Sequence, residues 1–210
     1  MINYVLLIGW ATAPSYYKKL IDYAPENCRL FIPSYETIFK KGKIEEFEAS
    51  FLEYLNINQL LKINLIGYSL GGLLSIGFAN KYPEKVEKLY LIDSAGIYGN
   101  KNVVRQLLNV LGEVRNKDIT IRVIKSLPRI LGRLSMNVKL GIYANKSDLE
   151  NEAKAIKVPT TIFWGEKDLV TPLWQGGKLH ILIPKSKLIV LKGESHNWII
   201  NKPELFWDSI

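Results

Sequence analysis

Ser69 sits in Gly67-Tyr68-Ser69-Leu70-Gly71-Gly72, between an apolar run at 63–66 and a helical pattern at 73–82 that stops before Pro83. A strand, a sharp turn and a helix in that order form the setting of a nucleophile elbow, in which the turn lifts the serine hydroxyl above the sheet. Glycines at 67 and 71 suit such a turn, because side chains there would meet the neighbouring strand or helix. The chemistry this suggests is acyl transfer through a serine nucleophile. A serine hydroxyl is weakly nucleophilic at neutral pH and needs a base, which in turn needs an orienting carboxylate.

The chain has two histidines. His196 stands in Gly193-Glu194-Ser195-His196-Asn197-Trp198, just after the apolar run 188–191, where a base at a strand's C-terminal end can reach Ser69. His180 lies within the helical pattern 173–183 and reads as a surface or packing residue. Two aspartates follow strand-like runs: Asp168 in Trp164-Gly165-Glu166-Lys167-Asp168, and Asp93 after Leu89-Tyr90-Leu91-Ile92. Either gives the order serine, acid, histidine. Asp168 is the preferred acid, Asp93 reads as a structural loop cap, and Glu166 and Glu194 read as solvated. Fixed N–H groups must meet the negative charge that develops on the substrate oxygen. Leu70, directly after the nucleophile, supplies one. Trp10 in Ile8-Gly9-Trp10-Ala11 supplies the other, since Gly9 allows close approach of the backbone.

The elements that must position these residues alternate. Strands are expected near 3–8, 28–32, 62–67, 86–92, 159–164 and 187–191, and helices near 15–23, 43–56, 70–82, 173–183 and 202–209. Such alternation marks a mostly parallel α/β sheet. In the 43–56 helix, Ile44, Phe47, Phe51, Leu52 and Leu55 share the core face. Between 97 and 157 the alternation gives way to a basic, helix-rich segment, with Pro128 and Gly132 breaking its best helical pattern. The expected organisation is a core of 1–96 and 158–210 with a basic helical cap at 97–157 over the sheet's C-terminal edge, where open α/β sheets bind ligands.

Composition limits the alternatives. With 210 residues and 48% hydrophobic content, the chain can build one domain with a real core. No run approaches the roughly 18 apolar residues of a membrane span, and the apolar N-terminus reads as a first strand rather than a signal peptide. A single cysteine, Cys28, reads as a structural thiol in a reducing, cytoplasmic setting. No His/Cys cluster has metal-ligand spacing, and neither a cofactor motif nor a nucleic-acid motif is found. The net charge of +8 is uneven: residues 101–157 hold 12 Lys/Arg against 5 Asp/Glu.

The elbow at 67–72, the segment 164–172 and the segment 193–198 together resemble the α/β-hydrolase superfamily, and most closely its branch of small capped bacterial esterases and acyl hydrolases. The resemblance spans essentially the whole chain and implies a six-stranded, mostly parallel sheet with helices on both faces and a small helical cap. Carried over by motif, Ser69 is the nucleophile, Asp168 the acid and His196 the base, with an oxyanion hole at Trp10 and Leu70. The chain departs from the family at Ile8, where a histidine is usual. It also begins at the strand leading to the oxyanion loop, so the usual preceding antiparallel strands are expected to be absent.

The resemblance implies a serine esterase acting on carboxylic esters of small to medium acyl chains, without metal or cofactor. Gly9, Trp10, Ile97, Tyr98, Trp164 and Trp198 are the residues expected to meet the substrate. A second reading starts from Arg122, Lys125, Arg129 and Arg133, which share one face of a helical projection opposite Ile124, Leu127, Leu131 and Leu134. That face is either a solvated cap surface or a dock for an acidic carrier protein. The caps of pimeloyl-[acyl-carrier protein] methyl ester esterases, members of the superfamily, carry such arginines, and Gly9-Trp10 resembles their oxyanion loop. This leaves open an esterase or thioesterase acting on carrier-linked acyl groups. A third reading is a non-catalytic binding protein on the same fold.

Overall fold

The computed structural model describes residues 1–39, 44–97 and 134–210. Six strands form one parallel sheet: β1 (Ile2–Leu7), β2 (Cys28–Phe31), β3 (Ile63–Tyr68), β4 (Val86–Ile92), β5 (Thr160–Gly165) and β6 (Lys187–Leu191), in the order β2-β1-β3-β4-β5-β6. β3 is buried along its whole length, which is why its sequence is apolar without alternation. Between the strands run α1 (Lys18–Asp22), α2 (Tyr35–Ile38), α3 (Phe47–Ile57), α4 (Leu70–Lys81), α5 (Leu134–Lys146), α6 (Glu150–Lys154) and α7 (Leu173–Leu182). The short α8 (Trp198–Asn201) and α9 (Glu204–Trp207) follow β6.

The strand order dictates where the loops go. β1 connects to β2 on one side, and every later connection runs the other way. Right-handed crossovers therefore place α1 on one face and α3, α4, α6 and α7 on the other. α8 and α9 return to the α1 face, where the Trp207 indole N–H donates to the Leu20 carbonyl at 2.9 Å. At the carboxyl ends of β1 and β3 the chain departs to opposite faces, and a crevice opens there. The Gly9-Trp10 loop and Ser69 stand at that point.

The expected strands agree with the observed ones to within one residue at either end. The 15–23 helix opens as a tighter 3-10 turn at Pro14–Tyr17, and the 43–56 helix as one at Ile44–Glu46. Phe47, Phe51 and Leu55 are buried as expected, while Leu52 is half-buried. The expected 202–209 helix shrinks to α9, and the four-residue α2 and α8 add to the expected elements. Of the expected 97–157 cap, residues 134–157 contain α5 and α6. Tyr98, Arg122, Lys125, Arg129 and Arg133 lie outside the described residues. Among the described residues, no helix is long and apolar enough to cross a membrane.

Close backbone packing locks α4 against the sheet. A Cβ on Gly71 would sit 1.9 Å from the Leu7 carbonyl oxygen, and one on Gly67 would sit 2.6 Å from the Gly72 Cα. Gly77, on the same helix, has nothing within 4 Å of an added Cβ; it faces a cavity of about 280 Å³ between α3, α4 and α5. The two glycines should respond oppositely to alanine. Gly71→Ala is expected to destabilise the fold by about 1–3 kcal/mol or more through overpacking. Gly77→Ala should stabilise it by about 0.5–1 kcal/mol through helix propensity. Urea unfolding of both variants checks this, and similar midpoints for the two would contradict the packing described.

Candidate active site

Ser69 follows β3 directly, with φ 54° and ψ −117°, a strained conformation for a residue with a side chain. The strain is held by the surroundings. Ser69 N–H donates to the Ile92 carbonyl at 3.0 Å, and its carbonyl accepts the N–H groups of Gly72 and Ala95, each at 2.9 Å. The Oγ atom lies 3.1 Å from His196 Nε2. His196 Nδ1 lies 2.7 Å from Asp168 Oδ2. An ionised carboxylate only accepts hydrogen bonds, so Nδ1 carries the proton and the Nε2 lone pair faces Ser69. Asp168 and His196 are 3% and 6% exposed, so their hydrogen bond is shielded from water.

Asp168 is surrounded by donors from its own loop. Asp168 Oδ1 accepts the N–H groups of Val170 at 2.7 Å and Thr171 at 2.9 Å, and Oδ2 lies 2.6 Å from the Thr171 hydroxyl. Burial works to raise the Asp168 carboxyl. The His196 charge and the hydrogen bonds from His196 and Thr171 outweigh that and hold it below its usual range. The two loops carrying acid and base pack backbone to backbone, because a Cβ on Gly165 would lie 2.8 Å from the Glu194 carbonyl oxygen. Lys167 N–H also donates to that carbonyl at 2.8 Å. Glu166 and Glu194, expected to be simply solvated, have structural partners: Gly193 N–H donates to Glu166 at 2.8 Å, and Lys202 pairs with Glu194.

The loop after β1 is fixed by side chains that no local sequence pattern marks. Gly9 N–H donates to the buried Tyr17 hydroxyl at 3.2 Å, Tyr35 donates to the Ile8 carbonyl at 2.8 Å, and Thr12 Oγ1 donates to the Gly9 carbonyl at 2.7 Å. Burial first, and then Tyr17, pushes the Tyr35 hydroxyl well above its usual range, so it remains a donor. A Cβ on Gly9 would lie 2.8 Å from the Tyr68 ring and 3.5 Å from Ser69 Cβ, so only glycine lets the loop come this close to Ser69. Tyr68 also packs on the His196 ring at 5.2 Å and donates to Asn197 at 3.0 Å. Leu70 opens α4, and its N–H has no partner within the helix.

The other expected residues are distributed differently. Trp10 is 40% exposed, with its indole against Gly141 of α5. Trp164 and Trp198, expected to meet substrate, are core residues at 0% and 1% exposure. The Trp164 N–H is committed to the Thr171 carbonyl at 2.7 Å, and its ring packs on Gly176. Ile97 is also buried. His180 is exposed on α7 beside Ser186. Asp93, weighed as an alternative acid, accepts the Gly165 N–H at 2.8 Å, as a loop cap would.

Among the described residues, one cluster has the composition of a metal site: Asp93, Asp168 and His196, with one atom of each within 4.8 Å of the others. Its histidine is already committed, since Nδ1 bears a proton directed at Asp168 and Nε2 faces Ser69. This arrangement suits proton transfer better than cation binding. Tyr35→Phe removes the donor to the buried Ile8 carbonyl and is expected to lower the unfolding free energy by about 1–3 kcal/mol. Urea denaturation checks this, and unchanged stability would mean that the carbonyl has another partner.

A family model described as alpha/beta hydrolase fold matches residues 24–140. A pimeloyl-[acyl-carrier protein] methyl ester esterase of Wigglesworthia glossinidia brevipalpis is 24% identical over 245 residues, covering 98% of this chain and 90% of its own. An uncharacterized protein of Mycobacterium tuberculosis is 21% identical over 196 residues, covering 75% of this chain, which spans only 57% of that relative's length. The crystal structure of an alpha/beta hydrolase enzyme from the metagenome of Mar Chica lagoon sediments matches with a TM-score of 0.75 at 23% identity, covering 99% of this chain and 88% of its own. That likeness is one of fold.

Proposed function

The chain belongs to the alpha/beta hydrolase family, and from that membership we propose that it is a serine hydrolase that cleaves carboxylic esters of small to medium acyl chains. The observation that carries this reading is the sequence of contacts from Ser69 Oγ to His196 Nε2 at 3.1 Å and from His196 Nδ1 to Asp168 at 2.7 Å. Ser69 attacks the ester carbonyl as His196 takes its proton, and Asp168 stabilises the imidazolium. Negative charge gathers on the carbonyl oxygen, where the N–H groups of Leu70 and Trp10 would meet it. His196 then protonates the departing alcohol, leaving an acyl-enzyme on Ser69. A water deprotonated by His196 cleaves that ester and restores the hydroxyl.

A second reading places the acyl group on an acidic carrier protein. It is favoured by the Wigglesworthia relative, whose name specifies a carrier-linked ester, and by the basic excess of residues 101–157. Arg122, Lys125, Arg129 and Arg133 would steer such a partner, and neutralising them would weaken its capture at low salt. The segment 97–157 is the proposed cap in either case.

Hydrolysis of p-nitrophenyl esters with two to twelve acyl carbons tests the reading. Turnover should vanish in Ser69→Ala, and Asp168→Asn should lower kcat by about 10⁴, as removal of a triad acid does elsewhere. Wild-type rates in Ser69→Ala would exclude the mechanism. Absence of turnover on every ester from the folded wild-type chain would favour a carrier-bound substrate or a binding role.

A further inference from the structure

Asp93 lies behind the acid–base pair and has no part in the acyl-transfer steps. It follows β4 directly, fully buried, at φ 42°, in the left-handed region that residues with side chains seldom occupy. Its backbone is held on both sides: the N–H donates to the Phe163 carbonyl at 3.0 Å, and the carbonyl oxygen lies 3.0 Å from the Thr171 hydroxyl oxygen, whose one proton points mainly at Asp168. The side chain is not equally satisfied. Oδ1 accepts the Gly165 N–H, while Oδ2 is buried without a hydrogen-bond partner.

The groups facing Asp93 are Asp168 from the loop after β5, His196 from the loop after β6, and the indole of Trp198. The Trp198 Nε1 is also buried without a hydrogen-bond partner. Among the described residues no lysine or arginine forms an ion pair with Asp93. Two carboxylates this close, in a dry site without a cation of their own, do not both hold a charge. The charge belongs on the one with more donors. Asp168 faces two backbone N–H groups, the Thr171 hydroxyl and His196, whereas Asp93 has the Gly165 N–H and, at longer range, the Trp198 indole N–H.

We propose that Asp93 is a neutral carboxylic acid, a positioning residue that leaves Asp168 as the single buried charge behind His196. Burial first, and then the Asp168 charge, push the Asp93 carboxyl well above its usual range, in keeping with this geometry. The catalytic meaning rests on the acyl-transfer reading. A second negative charge here would tighten the hold of His196 on a proton, and a base already protonated cannot take one from Ser69. With Asp93 neutral, imidazolium formation brings the buried acid–base pair to zero net charge.

The linkage has a definite sign. The folded-state pKa of Asp93 is raised, so its contribution to stability is complete below the unfolded value of about 3.9 and is lost as pH rises through the folded value. Asp93→Asn removes that loss, so its Tm should gain on the wild type progressively as pH rises above about 4.

Infrared difference spectroscopy of the full chain, wild type minus Asp93→Asn at pH 7, tests the protonation state without needing turnover. A carbonyl band of a protonated carboxylic acid, shifted in heavy water, should be present in the wild type and absent in the variant. The acid limb of kcat/KM should fall at the same pH in both, and Asp93→Ala should lose about tenfold in kcat with KM unchanged, the loss being restored by Asn. Lack of the band in folded wild type overturns the proposal. So does a Tm difference that is independent of pH. An acid limb displaced downward by a pH unit or more in Asp93→Asn would do the same, being the expected consequence of removing a full charge within 4.8 Å of His196. If Asp93→Ala does not fold, the band and the Tm series decide the matter. If no ester is ever turned over, the band still separates failure of this proposal from failure of the functional reading.

Discussion

The hydrogen bond of 2.7 Å between Asp168 and His196 is the contact on which the site depends. It selects the tautomer, directs the Nε2 lone pair at Ser69, and places a negative charge where an imidazolium would form. In the interior such a charge is costly unless it is surrounded by donors. The 168–171 loop meets that demand locally, folding two backbone N–H groups and a hydroxyl around the Asp168 carboxylate. The same demand explains why a second carboxyl, Asp93, can stand nearby only as the uncharged member of the pair.

Bringing three residues from distant parts of the chain to this contact is the work of the sheet. Ser69, Asp168 and His196 follow β3, β5 and β6 at the same edge, because every strand runs parallel. The reversal of strand order around β1 opens the crevice into which Ser69 projects. Backbone approaches that only glycine permits bring the layers into reach: Gly71 on Leu7, Gly165 on the 194–195 backbone, and Gly9 on Tyr68. The strain at Ser69 persists because its N–H and carbonyl are hydrogen-bonded to the neighbouring β4 and its following turn.

Much of this was legible in the residues. Buried parallel strands are apolar on both faces, so β3, β4 and β5 stand out as continuous runs, and the residues just beyond such runs are those that can converge. Ser69, His196 and Asp168 were found in that way, and the structure brings them together. The supporting groups were hidden, because they act through contacts distant in sequence. Tyr35 reaches Ile8 across 27 residues, and Tyr68 reaches Asn197 across 129. No local pattern marks either one. Where a histidine is usual before Gly9, this chain has Ile8, and the tyrosine contacts to that loop supply the anchoring. Trp164 and Trp198 misled because their position next to active loops does not reveal which way an indole turns; both turn into the core. The helices α2 and α8 are too short for a 3.6-residue period to register.

The central claim is that Ser69 is an activated nucleophile. Intact-mass analysis after treatment with a fluorophosphonate, with peptide mapping, tests it most directly, because it requires no knowledge of the substrate. The account predicts one covalent adduct on Ser69, formed at a rate that collapses when His196 is replaced by alanine. An unmodified Ser69 in the folded chain, or labelling that is indifferent to His196, would contradict it.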